Sequence, residues 1–197
     1  MVRLRILQRC TVSLRNVQGS SLVEFAITLP LLVVFIVGIY DFSGAFNEKQ
    51  KIAQAAQLGA IVAGAQPTSD IDLSNPNPDS LQPVVAVIFK SLASSGVLPN
   101  AGAACTFPPA APAQAGLAWT YTIPACSAAY PSDNLLITIN RGVVPGAGTP
   151  ATVGTAVQVQ YPYHWRFNSA IQLLFPGSTS FAATTTLKEQ ATVHNQT

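Results

Sequence analysis

The run Phe25-Ala-Ile-Thr-Leu-Pro-Leu-Leu-Val-Val-Phe-Ile-Val-Gly-Ile-Tyr40 carries no charge, and it constrains this chain more than any other feature. Leu22 and Val23 extend it backwards past Glu24, and Phe42 extends it forwards past Asp41. As one helix, Ser20 to Phe42 reaches roughly 34 Å at about 1.5 Å per residue. A bilayer core is about 30 Å thick. Two other readings compete with a membrane span. A buried core helix would show a polar face, and this segment shows none. A cleaved secretory signal has an apolar region of about 7–15 residues followed by A-x-A. Ala53-Gln54-Ala55 fits that cleavage pattern but lies well beyond an apolar run that is itself too long. The segment is read as a single span. Pro30 removes a backbone donor inside it, so a local bend is expected there.

Charge orients the span. Arg3, Arg5, Arg9 and Arg15 precede it, with no acid before Gly19. Basic residues near a span stay cytoplasmic. The N-terminus is therefore placed inside, and everything after Tyr40 outside. The remaining chain has six basic and eight acidic residues, a net −2. The basicity belongs to the leader, and no basic patch interleaved with aromatics points to nucleic acid. Charged residues are only 9% of the chain, against about 25% in a typical soluble domain. Such a surface is common among exported proteins that pack into assemblies.

Cys10 lies in the leader, and Cys105 and Cys126 in a Pro/Ala-rich stretch. None forms a C-x-x-C, which argues against zinc or a redox motif. In an oxidising compartment Cys105 and Cys126 would close a loop of about twenty residues, worth on the order of 3 kcal/mol. Two free, semi-buried thiols are the alternative; the exported topology favours the disulfide.

After Tyr40 apolar and small residues recur at helical spacing (Phe42, Ala45, Ile52, Ala56, Ala60, Ala63), which predicts an amphipathic extension ending near Ala65 before Pro67. Pro67 to Pro83 reads as a loop. Ser80 is expected to cap a short helix running to Ser94 and stopped by Gly96. Pro99 to Pro112 reads as irregular. Leu117–Ile123, Leu135–Asn140 and Thr155–Tyr161 alternate as strands, with Val157, Val159 and Tyr161 on one face. Arg141-Gly142 and Pro145–Thr155 are expected to turn. Asn168 to Phe175 suggests a short helix, and Ser178 to Val193 a final strand. Helices followed by about four antiparallel strands suit an α+β domain whose sheet packs on the long helix.

Chemistry is sparse. His164 and His194 share no ligand spacing with Cys or a carboxylate, so no metal is expected. His164 sits in the aromatic run Tyr161-Pro-Tyr-His-Trp-Arg-Phe167 and reads as packing or surface contact. His194 reads as part of a frayed end. No nucleophile elbow, zincin or phosphate-loop motif occurs, and no cofactor or catalytic activity is expected. Asp70, Asp72 and Asp79 lack EF-hand spacing and read as solvated loop acids.

The junction Gly19-Ser-Ser-Leu-Val-Glu24-Phe25 is the most informative site. An ionised carboxylate at the bilayer centre costs at least ~2.5 kcal/mol. Cleavage after Gly19 would create an α-amino group on Ser20, and positions four apart share a helix face. That ammonium and Glu24 would pair, within one chain or between neighbours, and let the helix pass from lipid into a bundle. The blander reading makes Gly19 a flexible residue, Ser20 or Ser21 an N-cap, and Glu24 a complement to the helix dipole.

Basic leader, Gly, four residues, Glu, aromatic and apolar helix together resemble type IV pilin-like precursors. Gly19-Ser-Ser-Leu-Val-Glu-Phe-Ala-Ile-Thr-Leu-Pro-Leu-Leu, Gly38-Ile-Tyr-Asp-Phe-Ser-Gly-Ala-Phe and Ala53-Gln-Ala-Ala-Gln-Leu-Gly-Ala resemble the TadE-like family of minor pilins, or pseudopilins, of tight-adherence (Flp) pili. The resemblance is specific over about residues 15–65, with a weaker echo near the C-terminus. Ser21 departs from the Ala or Met often found there. The resemblance implies an α+β, type IV pilin-like fold. It divides the chain into a leader (1–19) removed by prepilin peptidase between Gly19 and Ser20, a transmembrane helix (20–42), its amphipathic extension (43–66) and an exported domain (67–197). It also implies assembly through Glu24 and Phe25. The implied partners are related minor pilins of the TadF-like and TadG-like kinds, the major Flp pilin, the prepilin peptidase and an inner-membrane assembly platform. The implied location is the bacterial inner membrane with a periplasmic domain. A membrane-tethered binding module or adhesin, using Tyr161–Phe167, is the alternative.

Overall fold

The computed structural model describes residues 17–98, 105–107, 109–124, 126–127, 129–144, 153–167 and 184–195. The leader before residue 17, Cys10 and the helix expected at Asn168–Phe175 lie outside the described residues.

One helix, α1 (Val17–Ala65), carries the apolar run and continues through the amphipathic segment. Pro30 lies inside it without ending it. Proline at 67 forbids continuation, and disfavours helical backbone at the residue before it. A short 3-10 turn (Asp79–Leu81) leads into α2 (Gln82–Ser94). Ser80 does not cap this start with its side chain. Its backbone N–H instead donates to Asp70 Oδ2 at 2.8 Å. Burial of Asp70 works to raise its pKa, but the hydrogen bonds from Ser80 and from its own backbone, with the charge of Arg141, together hold the carboxyl below its usual range. Asp70 is thus an anchor of the loop rather than a merely solvated acid. At the other end of α2, Gly96 adopts φ +73. Gly96 N–H donates to Ala93 O and Val97 N–H to Leu92 O. That is the Schellman closure, which needs the left-handed conformation glycine supplies.

Five strands follow in the order β1-β2-β3-β4-β5. They are β1 (Ala113–Ala115), β2 (Ala118–Ile123), β3 (Leu135–Val143), β4 (Gly154–His164) and β5 (Thr184–His194), and every neighbouring pair is antiparallel. The α+β class and the meander agree with the sequence reading; the sheet has one strand more. Gly116 at φ +63 turns the chain between β1 and β2. That places Leu117 in the turn rather than in the strand expected from its side chain. Arg141-Gly142 does not turn either: β3 runs through both to Val143, with a register shift after Asn140.

Two compact units divide the chain, residues 1–42 with 166–181 and residues 43–165 with 182–197. Within the second unit the core is a helix–sheet sandwich. Ile52, Ala55, Ala56, Ala60 and Ala63 of α1 are buried with Val84, Val85, Ile88 and Leu92 of α2. Trp119, Tyr121, Ile137, Ile139, Val157 and Val159 complete it from the sheet. Gly59 permits the closest approach. A Cβ there would stand 2.5 Å from Ile88 and 3.3 Å from Val157, closer than any side chain tolerates without shifting its neighbours. Lys49 pairs with Glu189 at 3.2 Å across the same face.

Cys105 and Cys126 are bonded, with their Cα atoms 4.8 Å apart. The bridge closes 21 residues of sequence, a stretch that includes β1 and β2. Reduction is expected to destabilise the domain by about 3 kcal/mol. Urea unfolding of the full chain in detergent, with and without reductant, measures this; coincident curves would refute it.

Candidate functional site

Gly19 and Ser20 lie within the first described turns of α1, which is already helical at Val17. Neither Ser20 nor Ser21 is therefore the cap of this helix. Glu24 is exposed one turn further on, and Phe25 beside it is 64% exposed. The apolar window that follows contains no buried residue, and α1 is long and apolar enough to cross a membrane. Polar groups within the run are economically placed. The Thr28 hydroxyl donates to Phe25 O at 3.2 Å, which removes the cost of carrying an unsatisfied hydroxyl into hydrocarbon. An uncovered apolar surface of this length needs lipid or other apolar helices around it.

Near the other end of that run, Asp41 is buried at 3% exposure. Its Oδ2 accepts the backbone N–H of Phe167 at 2.8 Å. Residue 167 is thereby tied to the helix across 126 positions of sequence.

The C-terminus of α1 has its own anchor. Arg141 is 2% exposed. Its guanidinium donates to Ala63 O, to Gln66 O at 2.9 Å and to Pro67 O at 3.3 Å. One carbonyl lies in the last turn of α1 and two just beyond it, where intrahelical donors run out. Ala63 O also accepts the Gln66 N–H at 3.2 Å, and a cation there answers the negative end of the macrodipole. Burial pulls the Arg141 pKa down from its ordinary value, and the charge of Asp70 works against that. The alternation Leu135, Ile137, Ile139 continues to position 141, so strand parity was the signal that placed Arg141 inward.

His164 Nε2 lies 2.7 Å from Asp133 Oδ2, and Nδ1 lies 3.5 Å from Thr184 Oγ1. The Tyr130 ring stacks on the imidazole with centroids 3.4 Å apart. Together they fasten the loop around Asp133 to β4 and β5. Tyr161 and Tyr163 face the core and are buried. Burial, with the nearby Asp133 and Glu48 charges, pushes the Tyr161 phenol up to about 12. Two aromatic side chains of the run are thus spent inside the domain. Among the described residues no three His, Cys, Asp or Glu side chains gather as a metal site would require.

The residues expected to act in processing and assembly, Gly19, Ser20, Glu24 and Phe25, thus share one helix end. Asp41, Asp133 and Arg141 were missed as site residues, because each is defined by a partner far away in sequence. Residues 19–60 match the family model for TadE-like proteins. No curated protein and no solved structure matches the chain.

Proposed function

We propose, from the match of residues 19–60 to the family model for TadE-like proteins, that this chain is a minor pilin or pseudopilin taking part in assembling or priming a Tad/Flp-type adhesive pilus. The observation that carries the reading is an uncovered apolar helix with one carboxylate, Glu24, exposed at its mouth. Prepilin peptidase cuts between Gly19 and Ser20 on the cytoplasmic face. The new ammonium pairs with Glu24, and the neutralised helix end passes from lipid into a bundle of like helices. Phe25 packs beside it. The domain from residue 67 onwards stands in the periplasm and contacts related minor pilins, the major Flp pilin or the inner-membrane platform. Its role is structural rather than catalytic. N-terminal sequencing of protein extracted from membranes is expected to begin at Ser20. A chain that keeps Met1 would overturn the pilus reading.

A further inference from the structure

Phe167 is helical and follows a bend at Arg166. The first N–H groups of a helix lack intrahelical acceptors, and at bilayer depth such a group must find another partner. At Phe167 this is done by Asp41, whose Oδ2 accepts the Phe167 N–H at 2.8 Å. The arrangement serves both partners, since an enclosed carboxylate is costly unless it accepts hydrogen bonds. Less than one turn back along α1, the Phe167 ring lies over residue 38. A Cβ at Gly38 would stand 3.5 Å from the ring, so the ring lies about one methyl group away from the helix surface there. Gly38 is four residues before Phe42, where the apolar run ends, or about 6 Å inside that end along the helix axis. This is the depth at which aromatic rings collect in bilayers. Tyr40 and Phe42 in the same stretch are 70% and 66% exposed, and Arg166 is exposed beside Phe167.

We propose that Arg166 and Phe167 form a second membrane contact, in the leaflet where the span ends. The Phe167 ring packs among acyl chains just below the headgroups, and the Arg166 guanidinium meets a phospholipid phosphate. Asp41 is the positioning residue that holds this backbone at its depth. The contact restrains Arg166 and Phe167 at the bilayer surface, in addition to the restraint supplied by α1. The proposal rests on the reading of α1 as a membrane span.

The test uses the full chain reconstituted in phosphatidylcholine–phosphatidylglycerol vesicles whose lipids carry bromine at shallow or deep acyl positions. Phe167→Trp is the reporter, with the emission of the unmodified protein subtracted. The reporter's emission is expected to fall about twofold with shallow bromine, less with deep bromine, and to resist aqueous iodide. Quenching by iodide with indifference to brominated lipid would overturn the proposal. Phe35→Trp, in the middle of the run, separates the two readings. If deep bromine does not quench it, the span itself is wrong; if it does and the reporter at 167 is unaffected, only the second contact is wrong. Should Phe167→Trp fail to fold, Arg166→Trp at an exposed position reports the same depth with the same outcomes.

Discussion

A Glu24→Gln chain is expected to insert into the membrane as well as the parent and to fall out of the assembled fraction. The amide removes the charge while keeping shape and most of the polarity. Insertion does not need the charge, since an uncharged residue at the mouth of an apolar helix costs less than a carboxylate. Assembly is different. A processed Ser20 places an ammonium one turn from Glu24, and helices packing side by side take both groups away from water. Removing one partner from an ion pair in such surroundings leaves the other uncompensated, at a cost of about 3 kcal/mol or more. That corresponds to a drop of roughly a hundredfold in the ratio of assembled to membrane-resident chain. Quantitative immunoblotting of sheared pili, co-purified minor pilins and the membrane pool measures this ratio. Glu24→Gln at parental levels in the assembled fraction would sink the pairing argument. If insertion were lost as well, the variant would be testing the helix rather than the pair.

What could be read from the sequence was what neighbouring residues decide. The uncharged run from Phe25 to Tyr40 needs no partner to declare itself, and α1 follows it to the residue before Gln66. Val157, Val159 and Tyr161 alternate inward as the strand period requires, and all three are buried. Gly96 stops α2 because its left-handed φ closes the last turn. The misreadings have the opposite character. β1 is three residues of Ala and Gln, with no β-branched side chain to announce it; it exists because Gly116 folds it back onto β2. Ser80 had the composition of a cap, but a carboxylate ten residues earlier took its N–H. Arg141-Gly142 looked like a break because the pair is polar and small. The strand continues there because three carbonyls from residues 63–67 hold the guanidinium. Asp41 reads as a charge that merely ends the apolar run, and its partner lies 126 residues away. Within the candidate site, the helix mouth was legible because Gly19, Ser20, Glu24 and Phe25 fall within two turns. Interactions that join α1 to the rest of the chain had no local signal.

Arg141→Ala is expected to produce the largest loss of stability in the domain that carries the sheet. The side chain is buried among Leu135, Ile137 and Ile139 of its own strand face, where an arginine is tolerated only because acceptors await it. Truncation deletes a charged donor and leaves the carbonyls of Ala63, Gln66 and Pro67 facing a small cavity. Hydrogen bonds to charged groups are worth roughly 1.5–3 kcal/mol each, and an abandoned buried acceptor costs about 1–3 kcal/mol. These effects are not additive, so a total of about 3–5 kcal/mol is expected. For a domain of this size that lowers Tm by roughly 6–20 °C. Arg141→Lys separates charge from geometry. A lysine keeps the favourable cation at the helix terminus but replaces the planar fork with a single ammonium. It should recover about half of the loss, because one point donor cannot reach three carbonyls spread over residues 63–67. Thermal unfolding of both variants in detergent, followed by near-ultraviolet circular dichroism, distinguishes the two contributions. An alanine variant within about 0.5 kcal/mol of the parent would place Arg141 among ordinary surface positions, and the helix end would then need another explanation for its closure. The Gln66 N–H, which donates to Ala63 O at 3.2 Å, would be what remains to close it.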